Sequence, residues 1–329
     1  MLRMLRMPFR PKEILFSPTT ACNLTCPHCG VPRSGTIINI KDAVRFLDGA
    51  PASGVERVGF TGGEPFLAMG PLVALTKEAV GRGLLFDRIM TNGVWWRRAG
   101  TLRRRLSALR DAGYDGSICV SLDAFHAQDP RKVARFIRCA ASVWRRPDIV
   151  SIARVSGARD RESARLLRRV ARELGGSVRV SPAGASYIRS DRLFVKVYDI
   201  ALSPAGKASC LKDGWGDGRW FREDRCRGPG NVFMVMPDGA VKPCCGYASD
   251  EAALTIGNIK RDSPARILRK FSGNRFASTV FNSGLGELRR RLERSGVRFP
   301  GRTSSHCFFC RYVLTRLNKG VVTRCLDAR

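Results

Sequence analysis

The sequence predicts an α/β protein: a parallel sheet of successive βα units, followed by a smaller α+β unit carrying a β-hairpin. Two observations predict the first part. Short apolar runs occur at Ile14–Phe16, Val58–Phe60, Ile89–Met90, Ile118–Leu122, Val150–Val155 and Val178–Val180. Between them lie amphipathic stretches near 41–48, 69–82, 95–112, 129–144 and 161–174. Short buried strands alternating with helix-period segments read as βα units. A third observation predicts the second part: Val232–Met236 and Ala240–Val241 flank Pro237-Asp238-Gly239, a strong hairpin turn.

The elements divide into three spans. Residues 1–182 hold the alternating units. In the last of these helices Leu167, Val170, Ala171 and Leu174 recur at helical spacing, and Gly175-Gly176 stops it. Residues 183–225 are rich in turn formers without clear periodicity and read as a bridge. Residues 226–329 form the smaller unit: the hairpin, the run Leu254–Ile259, helices around 263–272 and 284–294, and a tail with Cys307, Cys310 and Cys325.

Composition narrows the function classes. The chain has 329 residues, 44% of them hydrophobic, enough for one large domain or a large and a small one. No run approaches the ~18 apolar residues of a membrane helix, and the basic start lacks a signal-peptide core. Twelve cysteines in clustered spacings without an export signal point to metal or redox use in a reducing cytoplasm. The net charge of +30 suits acidic partners: nucleic acid, an acidic peptide or a membrane surface. It also fits a merely solvated arginine-rich surface. Arg97, Arg98, Arg103, Arg104, Arg105 and Arg110 lie scattered on helical stretches, and no basic run interleaves aromatics as a base-stacking groove would, which argues against nucleic acid.

The chemistry gathers after the apolar runs. Cys22, Cys26 and Cys29 follow the first, at C-x3-C-x2-C spacing. Three soft thiolates suit zinc or an iron–sulfur cluster, and without a fourth nearby ligand they leave one iron of a [4Fe–4S] cluster open. Phe60-Thr61-Gly62-Gly63-Glu64-Pro65 follows the second run. Its glycines allow close backbone approach to a ligand, and Glu64 adds an anionic acceptor. Thr91-Asn92-Gly93 ends the third, and Ser121-Leu122-Asp123-Ala124-Phe125-His126 the fourth. By the strand period of two, Ser121 and Asp123 share a side, although Asp123 could instead cap the next helix. His126 reads more simply as a structural histidine than a catalytic one. Arg154 and Ser156 end the fifth run.

Together these motifs resemble the radical S-adenosylmethionine (SAM) superfamily. The resemblance implies a partial (β/α)6, TIM-like barrel with function at the carboxyl ends of its strands. It implies that the open iron held by Cys22, Cys26 and Cys29 chelates the amino and carboxylate groups of SAM. One electron, from a donor such as flavodoxin or ferredoxin, then yields a 5′-deoxyadenosyl radical. By the same resemblance Gly62, Gly63 and Glu64 hold the SAM amino group and Asn92 lies near SAM. Ser121 and Asp123 meet the ribose, Arg154 the carboxylate, and His28 the adenine.

In the second unit Cys226 and Cys244 are separated by the hairpin, in the pattern C-x12-G-x4-C, and Cys307 and Cys310 add a C-x2-C clamp. A hairpin returns its ends to one place, so four thiolates can close one site: a second [4Fe–4S] cluster, or a zinc ribbon with His306 beside Cys307. The arrangement resembles the single-cluster "twitch" domain, a shortened SPASM domain. No C-x5-C-x3-C pair follows Cys310, so a further auxiliary cluster is not expected.

Cys245 is left over beside Cys244. Radical SAM peptide epimerases have a similar layout, in which such a thiol returns a hydrogen atom to a substrate radical. The resemblance thus implies L-to-D epimerisation of a ribosomally made precursor peptide, with Cys245 as donor. The basic surface suits an acidic peptide, and the barrel begins too near residue 13 for a separate leader-binding domain. The bland alternative is a buried core thiol. Cys210 and Cys325 are second candidates; Cys119 and Cys139 read as core. Two other functions stay open: peptide crosslinking or alcohol dehydrogenation with the auxiliary cluster as electron acceptor, and a basic, zinc-stabilised nucleic-acid-binding protein.

Overall fold

The computed structural model describes residues 9–32, 34–156, 159–204, 206–211, 213–224, 226 and 230–327. The first half follows the expected alternation: β1 (Glu13–Phe16), α1 (Ile40–Asp48), β2 (Arg57–Phe60), α2 (Met69–Gly81), β3 (Leu85–Thr91), α3 (Ala99–Asp111), β4 (Ser117–Ser121), α4 (Pro130–Trp144), β5 (Val150–Ser156) and α5 (Asp160–Glu173). Each strand of β1 to β5 pairs in parallel with the next. Ile14, Phe16, Val58, Phe60, Ile118 and Ile152 are fully buried on the face covered by helices. The expected 95–112 helix starts only at Ala99. Before it, Trp95 stacks on Phe66 at 4.7 Å and Trp96 Nε1 donates to the Gly93 carbonyl, so both rings are spent in the loop.

The sixth parallel strand is not the expected one. The 177–180 run is β6 (Ser177–Val180), which pairs antiparallel with β7 (Ser186–Arg189). β7 in turn pairs antiparallel with β8 (Phe194–Ala201), and β8 lies parallel to β5. Residues expected as a bridge thus supply a barrel strand. Burial explains the exchange: Val195 and Val197 of β8 reach the core at 0% and 6% exposure, whereas three of the four β6 residues are exposed.

The second unit is continuous with the first. β9 (Gly230–Val235) pairs in parallel with β1 and antiparallel with β10 (Ala240–Cys244), which carries β11 (Gly257–Asn258). The result is a single eleven-stranded sheet, ordered β11-β10-β9-β1-β2-β3-β4-β5-β8-β7-β6. The hairpin turn forms as its residues demand: Gly239 has φ +90°, and Asp238 Oδ1 accepts from the Ala240 amide. Phe233 of β9 meets Phe9 and Phe46 edge-on at 5.6 and 5.7 Å, sealing the hairpin to the helix-facing core.

Among the described residues α6 (Pro264–Lys270), α7 (Arg275–Asn282), α8 (Leu285–Arg294), α9 (His306–Arg316) and α10 (Lys319–Asp327) follow. The sequence pattern indicated α6 and α8 and missed the other three. Among the described residues no helix is long and apolar enough to cross a membrane.

Candidate active site at the barrel mouth

The cysteine loop leaves the carboxyl end of β1 and is held there by backbone. Thr20 N donates to Thr36 O, and Thr19 bridges Ile37. Gly63 N donates to Thr19 O and Glu64 N to Ala21 O. The glycine pair therefore packs close against this loop. A Cβ on Gly63 would lie 2.2 Å from Ala21 O, and one on Gly62 would lie 2.5 Å from Ser17 Oγ. The chain at 19–21 passes where those side chains would be, and that contact sets the position of Cys22.

Glu64 is fully buried. Its Oε1 accepts from Thr91 Oγ1 at 2.8 Å and Phe66 N at 3.2 Å, and its Oε2 accepts from Asn92 N at 2.8 Å. Asn92 completes the link to the loop. Its Nδ2 donates to Asn23 Oδ1 at 2.9 Å and to Cys22 Sγ at 3.8 Å. Gln128, which sequence reasoning missed, donates to the Asn92 and Ser121 carbonyls and staples the ends of β3 and β4. Burial pushes the Glu64 carboxyl up to about 7, and the Asn92, Thr91 and Phe66 donors only partly offset it. A raised folded-state value means this group contributes stability below its unfolded value, near pH 4.5, and loses it as pH rises through 7. Glu64→Gln is expected to flatten the fall in unfolding free energy between pH 5 and 8 by about 3 kcal/mol, measured by denaturant titration.

Asp123 departs from the expected geometry. β4 ends at Ser121, so the strand period does not reach Asp123. It does not cap the next helix either; Asp129 caps α4. Its carboxylate is fully buried. Oδ1 accepts from Phe125 N at 2.9 Å and pairs with His126 Nδ1 at 2.8 Å; Oδ2 accepts from Val155 N at 3.1 Å. Burial raises its carboxyl, but the His126 and Val155 contacts outweigh that and hold it below the usual range. With both oxygens occupied, Asp123 orients His126 and ties β4 to β5. His28 lies against this pair, 4.8 Å from the His126 ring and 5.1 Å from Phe125. Burial and then His126 lower its pKa, and its Nδ1 is buried without a partner among the described residues. That orphaned atom beside the cysteine loop fits the planar, hydrogen-bonding ligand expected there.

Arg154 lies differently from expectation. By the strand period of two it shares a face with Ile152, which is in the helix-facing core, and its Nε pairs with Asp199 Oδ1 of β8 at 2.6 Å. The side chains of Ser156 and Cys210 lie outside the described residues.

The four cysteines of the second unit converge. Burial pushes the Cys310 thiol well up, and the neighbouring Cys244, Cys307 and Cys226 raise it further. Cys307 lies in the first turn of α9, capped by Ser305, where the helix dipole favours anionic sulfur, and Cys310 lies one turn on. The Gly246 amide donates to the Cys244 thiol and the Tyr247 amide to the Cys307 thiol. Lys242, 5% exposed, adds a positive charge near Cys244. His306 turns elsewhere: its Nε2 meets the Glu223 carbonyl at 2.7 Å.

Spacing distinguishes the metals. One zinc ion with bonds of about 2.3 Å needs its sulfurs roughly 3.8 Å apart. Among the described residues only His28, Asp123 and His126 have three ligand atoms all within 4.8 Å of one another; no cysteine trio does.

Cys245 is not a core thiol. It is exposed to solvent, yet protein surrounds it closely enough that burial pushes it up to about 12, with Glu13, Cys307 and Cys226 nearby. The accessible surface and the raised thiol together mark Cys245 as a side chain at the protein's surface next to the second unit's cysteines. Tyr247 reaches from this side towards the cysteine loop: it lies against Gly30 and shares the surroundings of Cys29 and Cys307. Glu13 on β1, pushed up to about 7 by burial and by Asp87, covers Gly59 of β2. Neither was foreseen, although Glu13 opens an otherwise apolar strand. Cys119 is buried and Cys139 packs against the core, as expected. Cys325 is buried between α8 and α10, where Ser295 Oγ lies 3.1 Å from its sulfur.

Comparison with known proteins agrees with this geometry. Residues 16–163 match the radical SAM superfamily, and residues 226–286 match an iron–sulfur cluster-binding domain, SPASM. The chain is 32% identical over 132 residues to a GTP 3′,8-cyclase of Geobacter sulfurreducens, a match covering 38% of each protein. It is 38% identical over 128 residues to a GTP 3′,8-cyclase of a Synechococcus species, covering 35% of each. The chain thus spans under two-fifths of the length of these curated relatives. A solved structure described as native anSMEcpe with bound AdoMet and Cp18Cys peptide shares the fold. It has 16% identity and a TM-score of 0.50, with coverage of 78% of this chain and 79% of that one. The motifs and these matches lead to one assignment: residues 16–163 form a radical SAM domain, and residues 226–286 form a SPASM iron–sulfur cluster-binding domain.

Proposed function

We propose that this radical SAM enzyme abstracts an α-hydrogen from a ribosomally made peptide and epimerises the residue from L to D, with Cys245 as hydrogen-atom donor. The observation that carries the reading is the solvent-exposed Cys245 side chain beside Cys226 and Cys307 of the second unit. In this reading Cys22, Cys26 and Cys29 hold the SAM-binding cluster, and Cys226, Cys244, Cys307 and Cys310 the auxiliary one. When bound, the first cluster and SAM together supply a 5′-deoxyadenosyl radical that removes one hydrogen atom. Gly62 and Gly63 keep the cysteine loop in place, and Glu64 and Asn92 fix its distance from β3. His28 offers its unpartnered Nδ1 to SAM, and Ser121 stands at the mouth. Asp123 acts through His126, and Arg154 braces β5 against β8.

Cys245 then donates its S–H hydrogen to the opposite face of the substrate α-carbon. The S–H bond breaks, a C–H bond forms, and a thiyl radical remains. One electron from a donor such as flavodoxin or ferredoxin, with one proton, restores the thiol.

The test uses candidate precursor peptides in D2O. The wild type is expected to give a D-residue carrying one solvent deuterium. Cys245→Ala is expected to form 5′-deoxyadenosine without the D-residue. Solvent-independent epimerisation, or full epimerisation by the variant, ends the proposal. A product lighter by two hydrogens would instead favour crosslinking or dehydrogenation. The GTP 3′,8-cyclase relatives favour a nucleotide substrate as the second reading, which GTP-dependent consumption of SAM would support.

A further inference from the structure

The outer edge of the sheet carries a feature that the barrel mouth does not use. β6 is the last strand in the sheet order, so one side of its backbone is unpaired among the described residues. Beside it runs a groove of about 550 Å³ between α5 and β6, lined by Arg165, Arg168, Arg169, Arg172, Ser177 and Val178 among others. The arginines stand at i, i+3, i+4 and i+7, one face of α5, and all four are exposed. None has a carboxylate partner among the described residues. The nearby acids are otherwise engaged: Glu162 by Arg159, and Glu173 by Arg131 at 3.8 Å. Four unneutralised guanidinium groups along an open strand edge raise the energy of the free surface and favour an anionic strand.

We infer that the α5–β6 groove docks an acidic, extended peptide segment as an added strand on β6, its carboxylates facing the α5 arginines. This rests on the peptide-substrate reading above and places the part of the substrate that is not modified. Two independent features select a peptide over nucleic acid. A bare strand edge offers backbone donors and acceptors at the repeat of another peptide strand. The span 161–180 contains no aromatic residue on which bases could stack.

The spacing specifies the ligand further. Arg165 to Arg172 spans about 10 Å of helix rise. Alternate residues of a strand lie about 6.8 Å apart, close to the roughly 6 Å of rise between the i, i+4 pairs Arg165/Arg169 and Arg168/Arg172, so acids at every second position can meet one arginine of each pair. Direction also agrees. β6 runs parallel to β5 through two antiparallel pairings, so its Val180 end faces the barrel mouth. A docked strand is separated from β5 by β6, β7 and β8, four strand spacings or roughly 19 Å. The modified residue is therefore expected at least about six residues from the acidic segment.

The test uses a fluorescein-labelled peptide of alternating glutamate and threonine, about ten residues long. Controls are the lysine-for-glutamate peptide and a single-stranded DNA oligonucleotide. Holoenzyme is expected to bind the acidic peptide, more weakly as salt rises, and not the basic one. Hydrogen exchange should slow at the amides of 177–180. The variant Arg165→Ser/Arg168→Ser/Arg172→Ser should lose at least tenfold in affinity while its SAM cleavage and iron content stay unchanged. Absence of binding, an unchanged variant, protection elsewhere, or tighter binding of the oligonucleotide would each overturn the inference. Because this assay needs no turnover, its failure leaves the solvent-deuterium result standing, and failure of epimerisation leaves the docking result readable.

Discussion

Replacing any one of Cys22, Cys26 or Cys29 by alanine is expected to reduce 5′-deoxyadenosine formation to background and to remove about half of the bound iron. The loop supplies three thiolates and no substitute ligand. The closest histidine, His28, packs against His126 and Phe125 and away from thiolate duty. A cluster that already leaves one iron open cannot lose a second protein ligand and stay seated. The four thiols of the second unit use other elements, β9–β10 and α9, so their iron should remain. Iron analysis and SAM cleavage measured on the same samples check both halves. Loss of all iron would mean that the two sites form one metal centre.

The second large effect is expected at a residue with no reactive atom. Gly63→Ala places a methyl 2.2 Å from Ala21 O and 2.6 Å from Thr20 O, both backbone atoms that no side-chain rotation can relieve. Relief requires the 19–21 segment to retreat, and Cys22 retreats with it. Overpacking of this kind costs about 1–3 kcal/mol, and the displaced Cys22 is expected to cost most of the SAM-cluster iron. The control is Gly70→Ala in α2, where a Cβ meets nothing within 4 Å. It should be neutral or stabilising by up to about 1 kcal/mol. Thermal unfolding and iron content separate the two variants; equal behaviour would remove the glycine pair from the account of the loop.

Much of this site is written in short-range patterns. Three thiolates within eight residues can meet wherever the loop goes, and a Pro-Asp-Gly turn must bring Cys226 and Cys244 back together. Residues that act through distant partners leave no such trace. Arg154 and Asp199 are 45 positions apart and meet only because β5 and β8 are neighbours. Asp123 is tied to the Val155 amide and the His126 ring, contacts that neither the strand period nor the cap pattern reveals.

The amino-acid sequence by itself determined the βα alternation, the first five strands, the hairpin and the grouping of the cysteines. Each of these depends on side-chain periodicity or turn chemistry acting over a few residues. Only the tertiary structure decided that β8 stands sixth in the barrel, that β9 joins the second unit to β1, and that Cys245 is exposed. Strands pair through backbone groups that every residue carries alike, so neighbours are chosen by which apolar faces the whole core can bury together.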